Sequence, residues 1–354
     1  MKSIVILFMC INVVISINSI FAYDWIIYPQ DWTTEDLNCV DAEGMFIVGD
    51  NGVFFEGDYL MDGTFTGWYP EDSPTTENLH GVSTYHNLYI VGDSGVIFWD
   101  DLGIWQSIDT PTTERLNSVC VYINYGFIVG DDGTILYGGD GDPPVWELYP
   151  DSPTTQNLYS VSGDEHDINT TWVVGAGGTI LDYQDGVWIL YPTSPTSEDL
   201  FSVFVGDEYD HPYAWSCGAN GNILRWDGSS WSKINNIPTS QDLYGIWGFC
   251  DVEYGYYGYD ALLCVGAGGM TLESIDEGLT WYTENCPVTV DLHSVGGYGG
   301  DYAWAVGDNG TILSHGGWYG AIQPTSLGRV KALYYGSSSV SQKQPMSQKL
   351  PANR

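Results

Sequence analysis

The stretch Val306-Gly-Asp-Asn-Gly-Thr-Ile-Leu313 has seven versions in this chain. The others are VGDNGVFF from Val48, VGDSGVIF from Val91, VGDDGTIL from Val129, VGAGGTIL from Val174, CGANGNIL from Cys217 and VGAGGMTL from Val265. Their first residues step by 43, 38, 45, 43, 48 and 41 positions. A pattern that returns every 40 to 45 residues marks a repeat architecture and outranks any argument from a single residue. Each copy reads as a β-hairpin: an apolar strand, a glycine-bracketed turn, and a second apolar strand. Asn-Gly and Asp-Gly supply the positive φ angles that a tight hairpin turn needs.

Two more elements recur in phase with the hairpin. About a dozen residues before it comes a leucine-led strand: DLNCV from Asp36, NLHGV from Asn78, RLNSV from Arg115, NLYSV from Asn157, DLFSV from Asp199, DLYGI from Asp242 and DLHSV from Asp291. After it comes a tryptophan strand, at Trp68, Trp105, Trp146, Trp188, Trp231, Trp281 and Trp318. Thr/Pro-rich loops such as Ser73–Leu79, SPTTENL, lead into the next unit. Each unit is thus four short strands, a to d in chain order. One such sheet cannot bury both faces, but seven arranged around an axis can. The expected fold is all-β, a seven-bladed β-propeller of four-stranded antiparallel blades. An extra tryptophan strand, DWIIYP from Asp24, has no hairpin of its own and is expected to close blade seven from the N-terminal side; the segment around Trp318 competes for that slot.

Three regions follow from composition. Residues 1–22 resemble a signal peptide, with Lys2 before a largely apolar run over Ile4–Ile17 and Ala22 at the expected cleavage point. Residues 23–322 hold the repeats, and no further stretch is apolar enough to span a bilayer. Residues 323–354 are rich in Ser, Gln and Pro and carry no acid, the composition of a disordered tail. A leader of this kind places the chain outside the cytoplasm: secreted, at the cell surface or periplasmic. Of the seven cysteines, Cys10 lies in the leader. Cys250 and Cys264 are nearest within one blade, but pairing Tyr244 with Ala267 sets them about 10 Å out of register, too far for a disulfide. Cys39 stands where the other copies have Gly or Ser and reads as a packed free thiol.

The 46 acidic residues all lie between Asp24 and Asp308, where the only Lys or Arg residues are Arg115, Arg225 and Lys233. Such a body repels nucleic acid and favours solubility and cationic partners. It reads as a monomer that binds a protein or carbohydrate ligand, with no cofactor and no metal. His80 and His293 sit two blades apart, with Asn38 between them, a poor spacing for metal ligation.

Differences among the copies are the remaining signal. The first turn residue is Asp50, Asp93, Asp131 and Asp308 in four units, and Ala176, Ala219 and Ala267 in three. The residue after the leucine is Asn38, His80, Asn117 and His293 in the Asp units, and Tyr159, Phe201 and Tyr244 in the Ala units. Asn or His can donate to a carboxylate, and an aromatic ring needs a small neighbour. If the two positions are cross-strand neighbours, one arc of the channel rim is polar and the other aromatic. Four ordinary buried hydrogen bonds would explain the polar arc, and so would a two-sided ligand mouth. Tyr254, Tyr256 and Tyr257 crowd the a–b loop of blade six and suit partner or sugar contact, or simply decorate a hairpin tip.

Ser274-Ile-Asp276-Glu-Gly278-Leu-Thr280-Trp281 matches the Asp-box pattern S-x-D-x-G-x-T-W, which resembles the c–d turn of sialidase-like propellers and has a structural role there. The glycine hairpins at this period, over about 300 residues, resemble the propellers of the photosystem II stability/assembly factor family. That resemblance implies a non-catalytic binding or assembly scaffold. The acidic body departs from the basic client-binding patch of that family, and its two arginines, Arg115 and Arg225, fall short of the three that clamp a sialidase substrate. The rival reading is a carbohydrate-active enzyme with a site at the channel mouth.

Overall fold

The computed structural model describes residues 25–41, 45–59, 65–84, 88–101, 104–122, 125–164, 167–206, 213–249, 261–298 and 302–316. The expected leader, tail, Trp318, Cys250 and the tyrosines of the blade-six a–b loop lie outside these residues.

Seven four-stranded antiparallel sheets form, each pairing a–b–c–d in order. The a strands are Leu37–Asp41, Leu79–Ser83, Leu116–Val121, Leu158–Asp164, Leu200–Val205, Leu243–Phe249 and Leu292–Tyr298. Their residues line the central channel. Blade seven takes its d strand from the other end of the chain: Trp25–Ile27 pairs with Thr311–Gly316, with Trp25 opposite His315 and Ile27 opposite Leu313. The N-terminal strand therefore closes the ring, as its orphan tryptophan predicts. The only helical elements among the described residues are three-residue 3-10 turns at the hairpins.

Each turn shows why its glycine recurs. The second turn residue, such as Asn51 or Ser94, has φ of 53 and 58, and the glycine after it is also left-handed, with Gly133 at +71. A side chain at that glycine meets a further obstacle. A Cβ on Gly133 would stand 2.1 Å from the carbonyl oxygen of Thr154, in the loop entering the next blade. The turn is packed against its neighbour through backbone alone.

The core lies between blades. The leucine that opens each a strand is fully buried. At most seams, an aromatic residue on one blade meets the d-strand tryptophan of the next edge-on, as with Tyr89 and Trp146 (5.5 Å, 87°) or Trp304 and Trp68 (5.4 Å, 84°). Such pairs add about 0.5–1.5 kcal/mol beyond the area they bury.

An a strand has no sheet partner on its channel side, so its outward N–H groups need acceptors. The preceding blade supplies them. Ser118 Oγ accepts from Val161 N, Ser160 Oγ from Val203 N, Ser202 Oγ from Ile246 N and Ser294 Oγ from Val40 N, at 3.2 to 3.4 Å. Cys39 holds the same place in blade one, with its sulfur against the Val82 N–H. Burial pushes its thiol up to about 11. Cys39, Cys120, Cys217, Cys264 and Cys286 are all free thiols.

Candidate functional site

The a and b strands slip register at the same place in every blade. Leu37 pairs with Gly49 but Cys39 pairs with Val48; Leu116 pairs with Gly130 but Ser118 with Val129; the other five blades do likewise. The residue left over in each bulge is Asn38, His80, Asn117, Tyr159, Phe201, Tyr244 or His293. A β-bulge re-aims its extra side chain, and here it aims seven of them at the channel mouth. This corrects the expected reason for their position: none is a register partner of the turn residue. It also corrects the Tyr244–Ala267 pairing. Cys264 lies opposite Ile246, and Cys250 lies outside the described residues.

The four expected polar pairs form. Asn38 Nδ2 donates to Asp50 Oδ1 at 2.8 Å and to the Leu79 carbonyl at 3.0 Å. Asn117 Nδ2 donates to Asp131 Oδ1 at 3.0 Å and to the Leu158 carbonyl at 2.9 Å. Each amide thus ties its own turn to the next blade. His80 Nε2 lies 2.8 Å from Asp93 Oδ1, and His293 Nε2 lies 2.7 Å from Asp308 Oδ1. In the other arc the rings run in series: Tyr159 to Phe201 at 5.8 Å, Phe201 to Tyr244 at 5.4 Å, and Tyr244 to His293 at 5.8 Å. The mouth is therefore a closed circuit of seven side chains, aromatic through blades four, five and six and polar through seven, one, two and three. Beneath it lies a cavity of about 120 Å³. Burial raises the pKa of both Tyr159 and Tyr244, and nearby aspartates add to it, so both phenols stay neutral.

A second circuit surrounds the first and escaped the sequence reading. The residue before each leucine accepts from the turn of the preceding blade. Asn78 Oδ1 takes the Asn51 N–H at 2.9 Å, Asp199 Oδ1 the Gly177 N–H at 2.7 Å, and Asp36 Oδ1 the Asn309 N–H at 2.9 Å across the ring closure. Asn157, Asp242 and Asp291 do the same. Arg115 is the seventh residue of this column and cannot accept. Its guanidinium reaches back instead to His80 Nδ1 at 3.1 Å and lies 3.6 Å from Asp93. An acceptor at Nδ1 leaves the proton of His80 on Nε2, facing Asp93. Burial and then the Arg115 charge hold the His80 pKa down, against the opposing pull of Asp93. The column was visible as D, N, R, N, D, D, D; its meaning required knowing which atoms it faced.

The Ser274–Trp281 motif lies elsewhere. It forms the c–d turn of blade six, at the opposite end of the sheets from the b–c turns. Ser274 Oγ donates to Asp276 Oδ1 at 3.0 Å, Thr280 N donates to the same oxygen at 2.8 Å, Gly278 N donates to Ser274 Oγ at 2.9 Å, and Trp281 Nε1 donates to the Gly278 carbonyl at 3.0 Å. The Ser274, Asp276 and Thr280 side chains and the Trp281 indole are thus spent on the turn, and only Glu277 reaches outward. Arg225 is engaged away from the mouth, 3.0 Å from Glu277 Oε2 and stacked over Tyr213 at 4.7 Å. Among the described residues no group of three His, Cys, Asp or Glu could hold a metal ion, and no helix is long and apolar enough to cross a membrane.

No protein-family model and no curated protein matches the chain. Solved structures do. YCF48 from Cyanidioschyzon merolae superposes with a TM-score of 0.63 at 18% identity, covering 82% of this chain and 98% of that one. A structure described as YCF48 bound to D1 peptide gives 0.63 at 16% identity, covering 82% and 94%. The WD40 propeller domain of Doa1 gives 0.61 at 12% identity, covering 83% and 97%. At these identities the likeness is one of fold, and in fold this chain is a seven-bladed β-propeller similar to YCF48.

Proposed function

We propose that the protein is a non-catalytic scaffold that holds a basic segment of a partner protein across the channel mouth. The observation that carries this reading is the two-sided rim. A Lys or Arg side chain entering the mouth meets on one side Asn and His side chains backed by aspartates, of which Asp93 and Asp308 stay about one-third exposed, and on the other side Tyr159, Phe201 and Tyr244. Carboxylates and aromatic faces both attract a cation, and each desolvated cation–π contact contributes up to about 2 kcal/mol. The surrounding charge points the same way, with 46 acids in the chain against nine bases. A fold neighbour is described as bound to a peptide, which makes a peptide the first ligand class to try. The aspartates at the rim are held in fixed geometry by Asn and His donors, an arrangement suited to binding more than to proton transfer. The apolar run after Lys2 leads us to place this activity outside the cytoplasm, at the cell surface or in the periplasm.

The test is a binding panel of Lys/Arg-rich, acidic and neutral peptides, together with neutral glycans, on the full chain. Basic peptides are expected to bind, with affinity falling as salt rises, and Phe201→Ala and Asp308→Asn are each expected to weaken binding at least several-fold. Binding confined to acidic peptides or glycans, or unchanged by both substitutions, would overturn the proposal.

A further inference from the structure

The seam between blades six and seven is built unlike its neighbours. Two residues before each hairpin, six blades carry an aromatic residue: Phe46, Tyr89, Phe127, Trp172, Trp215 and Trp304. Blade six carries Leu263. The tryptophan it faces is Trp25, on the short strand that closes the ring. Leu263, Glu273 and Tyr282 stand opposite one another in register, so Glu273 shares the face that Leu263 presents to blade seven. On blade seven, His315 lies opposite both Ala303 and Trp25 and faces back.

Between them sits a buried polar cluster. Trp25 Nε1 donates to Glu284 Oε2 at 2.8 Å, and His315 Nε2 lies 3.1 Å from Glu284 Oε1. The side chains of His315 and Glu284 are 0% and 3% exposed. Both oxygens of Glu284 are thereby used. Glu273 is 5% exposed, and its Oε1 has no hydrogen-bond partner, nor has the nearby Thr271 Oγ1. At four other seams the outer tryptophan indoles, those of Trp68, Trp146, Trp188 and Trp231, have no hydrogen-bond partner, and at a fifth the Trp281 indole donates to the backbone carbonyl of Gly278. Among the described residues, the closure is where a d-strand tryptophan is held by a buried carboxylate.

We propose that this seam is a proton-controlled latch: the ring stays closed while Glu273 is a neutral acid, and release of the Trp25–Ile27 strand is coupled to loss of its proton. A second carboxylate buried beside Glu284, with no donor of its own on Oε1, is tolerated only uncharged. The groups that surround Glu273 agree. From blade six, Glu284 acts on it through charge, Tyr282 stands opposite it in register and Cys286 packs on the same seam; from blade seven, His315 and Trp25 face this seam and are both bonded to Glu284. Burial, then the charge of Glu284, push Glu273 up to about 8 from an ordinary value of 4.5. Once the seam opens to water, the carboxyl returns towards that ordinary value. Between the two values opening sheds one proton, so the opening constant rises roughly tenfold per pH unit and levels off above about 8.

Hydrogen exchange on the full chain tests this at the Tyr28 amide, which donates to the Ile312 carbonyl across the closing pair at 2.9 Å. After correction for the intrinsic exchange rate, wild-type protection at Tyr28 is expected to fall roughly tenfold per pH unit from pH 5 to 8. Glu273→Gln keeps the shape, carries no proton to lose, and is expected to flatten that slope, while amides of blade three keep theirs. Equal slopes in the two proteins would overturn the latch. Infrared spectroscopy of the wild-type chain gives a reading independent of any variant: a neutral glutamate carboxyl is expected at pH 7 and should vanish above pH 9, and its absence at pH 7 would also overturn the proposal.

Discussion

Blades seven, one, two and three set Asn or His against an aspartate at the channel mouth, whereas blades four, five and six carry Tyr or Phe in the bulge and alanine at the first turn position. The backbone beneath them does not change. All seven blades carry the same bulge, the same left-handed pair of turn residues and the same buried leucine. The comparison separates two layers of information in one repeat. The leucine, the glycines and the Ser-like residue fix the blade and its docking. The bulge residue and the first turn residue vary together and decide what the mouth offers a ligand.

The largest effect is expected where the two arcs are alike. Gly133 in the polar arc and Gly178 in the aromatic arc both have positive φ, at +71 and +73, and in both a Cβ would stand within 2.2 Å of a threonine carbonyl in the next blade. Gly133→Ala and Gly178→Ala should each cost more than about 2 kcal/mol, since a strained left-handed residue and a backbone collision add. Chemical denaturation measures both. A large cost in one arc and a negligible cost in the other would show that the scaffold is not common to the two.

A smaller effect is expected where they differ. In blade three, Asn117→Tyr alone sets a ring against Asp131, and Asp131→Ala alone leaves the Asn117 amide with only the Leu158 carbonyl. The double variant rebuilds the Tyr–Ala combination that blade four already has at Tyr159 and Ala176. It should be more stable than the two single costs predict, by about 1 kcal/mol, the usual coupling of residues in contact. A thermodynamic cycle from urea denaturation gives the coupling directly. Zero coupling would mean that the seven matched pairs share no energetic link.

The fold was legible because its signals are periodic and redundant. Seven glycine hairpins, seven leucine-led strands and an orphan tryptophan strand at the N-terminus admit few arrangements, and Trp25 closes the ring where that strand placed it. The pairing of Asn38, His80, Asn117 and His293 with their aspartates was legible from covariation among the copies. The bulge behind it was not, because a one-residue slip leaves no mark in a strand that begins Leu-x-Ser-Val. Arg115 was visible as the odd member of its column, but its role depends on a bond that crosses to the preceding blade. The Glu273–Glu284–His315 cluster was invisible for the same reason: its members are scattered over two blades and belong to no motif, and only Leu263, where six other blades have an aromatic ring, marked the seam.

The smallest effect should come from restoring the one missing member of the outer circuit. Arg115→Asn gives blade three the acceptor that Asn78 and Asn157 provide in blades two and four, so it can take the Ser94 N–H as they take those of Asn51 and Asp132. One partly exposed hydrogen bond gained and one lost to His80 should leave stability within about 1 kcal/mol of wild type at pH 8. The pH dependence is more telling. His80 has its pKa held below the ordinary histidine value of 6.5, by burial first and Arg115 second, so its native form favours the neutral ring. As pH falls through 6.5 the unfolded chain takes up a proton that the native state resists, and stability is lost. Without the guanidinium, Asp93 acts on the imidazole unopposed by a neighbouring cation, and the native pKa should rise. Following the His80 ring proton by NMR should show that rise, and the melting temperature of Arg115→Asn should gain on wild type as pH drops from 8 to 5. If the His80 titration stays where it was, burial alone sets it, and Arg115 is a surface residue of the polar arc that exerts no control over it.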